Sequence, residues 1–449
     1  MNRPSISIFG LGYVGLTFAT CLASSGFKVI GYDKDEEKLK AISEGKPPFY
    51  EPGLHELLIK AIAEKSLSLV TDPEIAVKGS EFTFIAVGTP EHPKERGVDL
   101  SFLFEALQTI AQCLRLKDNW HLIVIRSTIP PGTSRKAALL LEECTGKRCG
   151  EDFGLCVNPE FLREGNAIED TINPDRIIIG EYDQRSGDAL ESLYKSFHGN
   201  KVPPIIRTSL ENAELIKYAN NAFLAMKVSF INMIANLCEK IPGTDVEEIA
   251  KGIGLDKRIG PHFLKAGLGW GGSCFPKDLN ALMQIGKQLG VDLPLVKATV
   301  DINDQQPYKA IELAEKLIGD LRGKRIAILG LAFKPKTDDI RNAVSIKIIN
   351  KLLEKGANII AYDPKAMQHA RRIFDDKIRY AKTAIECIKG ADCAIIVTEW
   401  DEFKNLKPED FMKNMKNAAI VDGRRIYDKK KMPLDIKYAA IGLGNHIKS

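Results

Sequence analysis

The sequence lacks the features that mark membrane, secreted and metal-binding proteins. No apolar run approaches the ~18 residues needed to cross a bilayer, and the strand-like start of the chain leaves no room for a signal peptide. The nine cysteines follow no repeating spacing, and their one close pair, Cys144 and Cys149, has no second Cys or His pair nearby. We therefore expect a cytoplasmic protein with free thiols, without a membrane partner and without a metal site.

An excess of charge of one sign is also missing. Lysine and arginine number 63 against 59 aspartates and glutamates, and a net charge of +4 over 449 residues makes no polyanion-binding surface. Nucleic acid is therefore not expected as a partner. The composition, 44% hydrophobic and 27% charged, is that of a globular protein. The length exceeds the ~250 residues at which one core stops growing, so two or three domains are expected.

Strand and helix signals alternate towards both ends of the chain. Short β-rich runs near 6–9, 82–87 and 122–126 are separated by helix-period segments, and a second alternation begins at Lys324. Between them, residues 211–240 carry apolar residues at helical spacing without Gly or Pro. The pattern predicts an α/β protein with two Rossmann-like, doubly wound parallel-sheet domains joined by a long central helix. The predicted domains are 1–205, 206–305 and 306–449.

A glycine pattern after the first predicted strand indicates a dinucleotide site. Gly10, Gly12 and Gly15 form G-x-G-x-x-G, which permits a tight turn, close approach of a pyrophosphate and close helix packing. Asp33 ends the next strand, where a carboxylate binds ribose hydroxyls and repels a ribose phosphate, so NAD is favoured over NADP. Two threonines that follow later strands are further candidate cofactor contacts: Thr89 and Thr128.

The segment 267–278 places four glycines before Cys274, with Lys277 and Asp278 after it. Glycines let the backbone approach a bound ligand, and a neighbouring cation favours the nucleophilic thiolate. An alcohol dehydrogenase needs no nucleophile, whereas an aldehyde must first form an adduct before it can lose hydride. A cofactor site together with such a thiol therefore predicts a four-electron oxidation through a thioester on Cys274.

Six motifs, taken in order along the chain, carry a resemblance to one enzyme family. The chain is similar to the UDP-glucose and GDP-mannose dehydrogenase family over essentially its whole length. The resemblance implies oxidation of the primary alcohol of a nucleotide sugar to a carboxylate with two NAD molecules in succession. It also implies that the three domains bind NAD, form the dimer and carry the cysteine loop, and bind the UDP-sugar. The motifs are 9–16, 50–54, 158–165, 267–278, 330–334 and 422–425.

The resemblance further implies three groups of site residues, with the base of each step left open between Glu160 and Asp278. The catalytic group is Cys274 as nucleophile, Lys217 and Asn221 as a polar pair that stabilises anions, and Asp278, Glu160 and Thr128. The NAD contacts are Gly10, Gly12, Tyr13, Val14, Gly15, Asp33, Lys38, Thr89, Thr128, Glu164, Lys277 and Arg341. The substrate contacts are Glu160, Phe161, Leu162, Lys217, Asn221, Arg258, Phe263, Lys265, Gly269, Gly271, Phe333, Lys334 and Arg424.

Substrate choice and assembly also follow from the resemblance. The cysteine loop and Arg258-Ile259-Gly260 are most similar to the UDP-glucose enzymes, while GDP-mannose remains an alternative. UDP-N-acetylmannosamine is less favoured, because those enzymes tend to carry His where Ser273 stands. In the family the arginine reaches across a dimer, so a homodimer or a higher homo-oligomer is expected.

Two readings outside this family remain as alternatives. A two-electron hydroxyacid dehydrogenase leaves the cysteine loop unexplained. A catalytically silent nucleotide-binding protein has no need to retain the reactive residues.

Overall fold

The computed structural model describes residues 3–92 and 97–444, which fold into two compact units. The helix that runs from 210 to 238 passes from the first unit into the second. Of the described residues, the first unit contains those up to Asn220 together with Asn280–Ile285, and the second unit contains Asn221–Leu279 together with those from Gly286 onwards.

The described part of the first unit contains an eight-stranded sheet with the order β3-β2-β1-β4-β5-β6-β7-β8. All neighbours pair in parallel except β6 and β7, which are antiparallel, so the predicted parallel sheet has one reversed pair. The strands are β1 (Ile6–Phe9), β2 (Val29–Tyr32), β3 (Leu67–Val70), β4 (Phe82–Ile85), β5 (Leu122–Ile125), β6 (Gly154–Val157), β7 (Ile177–Glu181) and β8 (Ile205–Ser209).

The central strands of this sheet are largely apolar because both faces are covered, and the polar side chains of β1 and β4, Ser7 and Thr83, hydrogen-bond to each other at 2.7 Å. Along β5, Leu122 and Val124 join one buried cluster, while Ile123 and Ile125 join another on the opposite face. Strands buried on both sides read as continuous apolar runs rather than as alternating ones, which made β5 visible in the sequence.

Helices connect the strands of the first unit, and several begin at an aspartate that caps them. The side chains of Asp35, Asp72 and Asp183 accept backbone amides at the starts of the second, fourth and eighth helices. The helices are α1 (Tyr13–Ser24), α2 (Glu36–Ser43), α3 (Leu54–Ala63), α4 (Pro73–Lys78), α5 (Ser101–Leu114), α6 (Thr133–Thr145), α7 (Ala167–Ile172) and α8 (Gln184–His198).

The long helix predicted over 211–240 is α9 (Leu210–Cys238), which begins directly after β8. Its buried Glu214 accepts the Gly132 amide at 2.6 Å and the Ser134 amide at 2.8 Å, at the start of α6. This carboxylate satisfies two helix N-terminal donors that would otherwise lack an intrahelical partner. The first part of α9 is thereby held against the first sheet domain.

The described part of the second unit contains a six-stranded parallel sheet with the order β11-β10-β9-β12-β13-β14. Short 3-10 turns occur at Gln306–Tyr308, Asp375–Lys377 and Lys429–Lys431. The strands are β9 (Arg325–Leu329), β10 (Asn358–Tyr362), β11 (Arg379–Tyr380), β12 (Cys393–Ile396), β13 (Ala419–Asp422) and β14 (Lys437–Ala440). Nine helices follow α9 in the described residues, and all lie in the second unit except that Asn280–Ile285 of α11 belong to the first. They are α10 (Val246–Gly254), α11 (Phe275–Gln288), α12 (Pro294–Gln305), α13 (Lys309–Ile318), α14 (Val344–Glu354), α15 (Met367–Phe374), α16 (Ala384–Ile388), α17 (Asp401–Lys404) and α18 (Pro408–Asn414).

The second sheet repeats the strand–turn–acid arrangement of the first without its full glycine motif. Gly330 follows β9 with φ +106°, and Asp363 follows β10 as Asp33 follows β2. The Asp363 carboxylate accepts the Leu331 amide at 2.7 Å and the Trp400 indole N–H at 3.0 Å. This acid is therefore engaged within the fold.

Candidate active site

The dinucleotide loop lies between β1 and α1 in the first unit. Gly10 has φ +92°, and a Cβ added at Gly15 would lie 1.9 Å from the Gly10 carbonyl oxygen, so neither position admits a side chain. A Cβ at Gly12 would meet no described heavy atom within 4 Å, so the backbone there is open to a ligand. Tyr13 and Val14 follow as the first residues of α1, where backbone N–H groups attract phosphate.

Asp33 is a buried carboxylate directly after β2. Its Oδ2 accepts the Leu11 amide at 2.8 Å and the Lys38 ammonium at 2.9 Å. Burial by itself raises the pKa of Asp33, but hydrogen bonds from Lys38, Leu11 and Asp35 outweigh it and lower the pKa. A charged carboxylate here suits ribose hydroxyls and repels a ribose phosphate. The glycine loop and this acid therefore fit NAD.

Two threonines lie at the carboxyl ends of adjacent strands of the same sheet. Thr89 is buried after β4, and Thr128 is half-buried after β5. The hydroxyl of Ser127 donates to the Val87 carbonyl at 2.7 Å and joins the two segments. Both threonines thus lie at the sheet edge where open α/β folds bind ligands, as the sequence predicted.

Glu51, from the motif 50–54, ties two loops of the first unit together. Its carboxylate accepts the amides of Gly165 at 2.6 Å and Ala167 at 2.7 Å, and also accepts the Tyr13 hydroxyl. The Gly165 amide also donates to that hydroxyl, at 3.0 Å. Burial and the Glu51 charge hold the pKa of Tyr13 far above its usual range. The loop that carries Glu160 and Glu164 is thereby fastened to the dinucleotide loop.

Glu160 and Lys217 form a buried ion pair, with side chains 8% and 4% exposed. The Lys217 ammonium lies 3.1 Å from Glu160 Oε1 and donates to the Glu160 carbonyl at 2.5 Å. Burial raises the pKa of Glu160, but the Lys217 charge and the Leu162 amide outweigh burial and lower the pKa. The predicted cation and one of the predicted carboxylates are therefore direct partners.

Cys274 stands at the start of a helix in the second unit. It immediately precedes α11, and its carbonyl oxygen accepts the Asp278 amide at 2.9 Å, which makes it the N-cap residue. Backbone dipoles at a helix N-terminus favour a thiolate. The residue is half-buried, and the Ser273 hydroxyl lies 3.6 Å from its Sγ. This helix start was not predicted, although Pro276 and Asp278 in the first turn are typical of a helix N-terminus.

Asp278 lies one turn into α11 and is buried between two donors. Asn221 Nδ2 donates to its Oδ2 at 2.6 Å, and the Lys277 ammonium lies 2.6 Å from its Oδ1. Cys274, Asp278 and Asn221 thus belong to one cluster in the second unit. Lys277, predicted as a cation beside the thiol, forms an ion pair with Asp278.

The glycines of the cysteine loop have a reason within the fold in addition to the one expected from the sequence. A Cβ at Gly271 would lie 2.2 Å from the Asn342 carbonyl oxygen, and one at Gly269, where φ is +98°, would lie 2.7 Å from Asn303 Oδ1. The Gly272 amide donates to the Arg341 carbonyl at 3.0 Å. These glycines therefore allow the loop to pack against its own unit, rather than being required only by a ligand.

Comparison with known proteins agrees with this geometry. The NAD binding domain, central domain and UDP binding domain of one family match residues 4–198, 211–305 and 327–429. The chain belongs to the UDP-glucose/GDP-mannose dehydrogenase family. This match confirms the predicted family and the predicted cofactor, NAD.

Individual relatives match over nearly the whole chain. The UDP-glucose 6-dehydrogenase AglM of Haloferax volcanii is 42% identical over 95% of this chain and 98% of its own. The UDP-glucose 6-dehydrogenase TuaD of Bacillus subtilis is 40% identical over 95% of this chain and 90% of its own. The structure of a UDP-glucose dehydrogenase from Pyrobaculum islandicum covers 98% of both chains with a TM-score of 0.89 at 38% identity. It confirms the two-sheet fold.

Two of the predicted substrate residues in the second unit, Arg424 and Lys334, make different contacts within that unit. The Arg424 guanidinium donates to the Val397 carbonyl at 2.7 Å and the Gly269 carbonyl at 3.0 Å, and burial lowers its pKa. It therefore holds the cysteine loop to the end of β12. The Lys334 ammonium lies 5.5 Å from the Phe333 ring centroid.

Several other predicted residues lie towards the surface of their unit. The Arg258 side chain is 89% exposed and pairs with Asp256, and Arg341 pairs with Asp339. Phe263 is half-buried and Lys265 is exposed. In the first unit, Phe161, Leu162 and Glu164 are half-buried.

Two buried side chains that bind the Asn158-Pro159-Glu160 turn, Arg126 and Tyr194, were given no role from the sequence. The Arg126 guanidinium and the Tyr194 hydroxyl both donate to Asn158 Oδ1. Asn158 is the first residue of the motif 158–165, and Arg126 lies two residues before Thr128. Their positions next to predicted site residues were the only indication of a role that the sequence offered.

The helix α9 bears on the expectation that the chain has no apolar run long enough to cross a membrane. Within the described residues, α9 is long and apolar enough to cross a membrane by length and composition, and 44% of its most apolar window is buried. Polar residues interrupt the run, but a window average tolerates them. A core helix passes the same test, so α9 does not by itself indicate a membrane span. No group of three His, Cys, Asp or Glu that could hold a metal occurs in 3–92 or 97–444.

Proposed function

We propose that the protein is an NAD-dependent UDP-glucose 6-dehydrogenase that oxidises UDP-glucose to UDP-glucuronate. The observation that carries the proposal is the half-buried Cys274 at the N-terminus of α11, in a chain that also has a dinucleotide loop. Oxidation of an alcohol alone has no use for this thiol, whereas oxidation to the acid requires a nucleophile. The names and identities of the family relatives favour UDP-glucose as the sugar nucleotide.

The reaction takes place in two oxidations and one hydrolysis. When bound, NAD accepts a hydride in each oxidation. A base first takes the C6 hydroxyl proton while hydride leaves C6, which gives the aldehyde. The Cys274 thiolate adds to that carbon, and loss of the second hydride leaves a thioester on Sγ. Water attacks the thioester, the C–S bond breaks, and the carboxylate and thiol are released. Four electrons thus leave as two hydrides, and water supplies the second carboxylate oxygen.

The groups that these steps need come from two clusters, the Glu160–Lys217 ion pair with its neighbours and the cluster of Cys274, Asp278 and Asn221. Asp278 lies one helical turn from Cys274 and acts as the proton acceptor beside the thiol. Glu160, with Thr128, activates the hydrolytic water, since it is buried and ionised by its pairing with Lys217. Lys217 and Asn221 stabilise the developing oxyanion by charge and by a hydrogen bond.

Substrate binding and assembly belong to the same proposal. The predicted substrate contacts in the second unit bind the UDP-sugar, and Arg258 reaches the site of a second subunit in a homodimer. The 89% exposure of the Arg258 side chain supports this role, because an arginine on the surface of one subunit is accessible to a second subunit. Large apolar side chains on α9 are 41–61% exposed and support a dimer interface: Phe223, Phe230, Met233 and Leu237.

The proposal also covers the role of each domain and the location of the protein in the cell. Residues 1–205 bind NAD, 206–305 form the dimer and carry the cysteine loop, and 306–449 bind the UDP-sugar. All nine cysteines are free, which suits a cytoplasmic enzyme.

Cofactor stoichiometry with a panel of sugars tests the reaction. UDP-glucose, GDP-mannose and UDP-N-acetylmannosamine are each supplied in limiting amount with excess NAD or NADP, and NADH is followed by absorbance. We expect about two NADH per UDP-glucose, with NAD strongly preferred. One NADH per sugar would contradict the four-electron mechanism. A better rate with another sugar would replace UDP-glucose as substrate. Retained NAD binding without turnover of any sugar would indicate a silent nucleotide-binding protein.

Two cysteine variants test the nucleophile. Cys274→Ser is expected to lower NADH formation by about a thousandfold or more while leaving NAD affinity nearly unchanged. Cys144→Ser is the matched control, because Cys144 is an exposed cysteine on α6 outside both clusters. An undiminished rate to the acid in Cys274→Ser contradicts the role of the thiol.

A further inference from the structure

The first unit contains a buried cation that the proposed mechanism does not use. Arg126 directly follows β5, is 7% exposed, and its guanidinium carbon lies 4.3 Å from the Phe18 ring centroid. Within the described residues Arg126 forms no ion pair, and its Nε has no hydrogen-bond partner. A buried charge without a carboxylate partner is costly to fold, so packing alone does not account for Arg126 at this position.

The Arg126 guanidinium binds the turn that carries Glu160. Its Nη1 donates to Asn158 Oδ1 and to the Tyr194 hydroxyl, the latter at 3.2 Å. The other end of the Asn158 amide donates to the Ile178 carbonyl at 2.8 Å. Asn158 is therefore held on both sides, two residues before Glu160.

A neutral arrangement would suffice if the only task were to hold the turn. Tyr194 already donates to Asn158 Oδ1, and the Asn158 backbone amide donates to the Ile125 carbonyl at 2.8 Å. The charge of Arg126 adds a second effect. Burial raises the pKa of Glu160, and the charges of Lys217 and Arg126 both act against burial to lower it.

We propose that Arg126 is a positioning residue for Glu160: it fixes Asn158 and supplies a second buried positive charge that keeps Glu160 a carboxylate. This rests on the proposed role of Glu160 in activating the hydrolytic water. A cation without its own carboxylate suits this task, because its field is not cancelled by a paired anion. Arg126 itself touches neither substrate nor cofactor in this role.

Charge and position are separated by two substitutions. Arg126→Gln retains a hydrogen-bond donor for Asn158 but removes the charge, and Arg126→Lys retains the charge but not the planar fork. The pH profile of kcat with UDP-glucose is measured for both, with thermal melts at each pH to confirm folding. We expect the acid limb to move to higher pH in Arg126→Gln and to stay in place in Arg126→Lys. In Arg126→Lys we expect kcat to fall about tenfold because the turn is less well fixed.

Two outcomes would overturn the proposal. One is an acid limb of Arg126→Gln that coincides with that of the parent. The other, which decides the matter if Arg126→Gln does not fold, is an Arg126→Lys variant with the parent kcat. Glu160→Gln in the parent separates this failure from failure of the proposed function. If Glu160→Gln keeps the parent kcat and pH profile, Glu160 is not the base; if it loses activity while Arg126→Gln keeps the parent profile, only the Arg126 proposal fails.

Discussion

Replacing Lys217 by methionine leaves the Glu160 carboxyl buried without its ammonium partner. Methionine keeps the helix propensity and most of the length of the lysine stem, so α9 itself is little affected. The cost comes from the carboxyl, which escapes an unpaired buried charge by taking up a proton. From its ordinary pKa of 4.5, neutralisation at about pH 7 costs about 3 kcal/mol, since each pH unit corresponds to ~1.4 kcal/mol. At about pH 5 the same step costs less than about 1 kcal/mol.

The sign of the pH dependence follows from the same reasoning. In the parent, the pKa of Glu160 is lower in the folded state than in the unfolded state, so Glu160 stabilises the fold at pH values above its unfolded-state pKa. This stabilisation is lost as the pH falls through the folded-state pKa. In Lys217→Met burial acts unopposed by that charge, so the variant is destabilised increasingly as pH rises above about 4.5. For a unit of this size, 1 kcal/mol shifts the melting temperature by about 2–4 °C. We expect a decrease of ~6–12 °C at about pH 7 and no more than ~2–4 °C at about pH 5.

Melting curves of the parent and variants at several pH values measure this effect. Lys60→Met is the matched control, because Lys60 and Glu64 form a surface pair with side chains 59% and 52% exposed, worth at most ~1 kcal/mol. The double variant Lys217→Met with Glu160→Gln removes both charges and is expected to recover most of the loss. A loss that does not change with pH, or a double variant as unstable as Lys217→Met alone, would refute the reasoning.

Two other buried groups of the first unit lead to further predictions. Glu51→Gln replaces one acceptor of the Gly165 and Ala167 amides by a donor, so we expect a loss of about 1–3 kcal/mol in the free energy of unfolding, seen in denaturant titration. Glu51→Asp should not restore it, because the shorter carboxylate does not reach both amides; full recovery would argue that charge alone matters. Burial lowers the pKa of His121 to about 3, so this histidine is neutral when folded and stability falls as pH drops below about 6.5. His121→Gln is expected to flatten that fall in melts between about pH 4 and 7, and an unchanged slope would contradict it.

The predictable part of the fold is the part with both faces buried. β5 is a continuous apolar run, β1 and β9 are apolar apart from Ser7 and Arg325, and the glycine motif and Asp33 mark the first strand–turn–helix unit. The edge strands were missed for the complementary reason. β3 has one polar and two half-buried positions, and β11 has only two residues. An edge strand is covered on fewer sides, so its pattern is weaker than that of a central strand.

The candidate site divides in a similar way. Residue types at fixed spacing were sufficient to predict the NAD loop and the nucleophile Cys274, because the chemistry demands a phosphate cradle and an activated thiol. The roles of Lys217, Asn221 and Asp278 were predicted only from the resemblance to the family. The helix start after Cys274 was not predicted, because the glycines before it indicate a loop, although Pro276 and Asp278 are typical of the first turn of a helix.

The sequence by itself determined the family and the cofactor and predicted the reactive residues, because each of these rests on short motifs whose chemistry is local. Only the tertiary structure decided which groups serve one another. It paired Glu160 with Lys217 and showed that the loop glycines pack against their own unit. It also showed that Glu51 binds an amide 114 residues away and Arg126 an amide 32 residues away. Such partners are brought together by packing of distant segments around a common core, and no spacing along the chain encodes them.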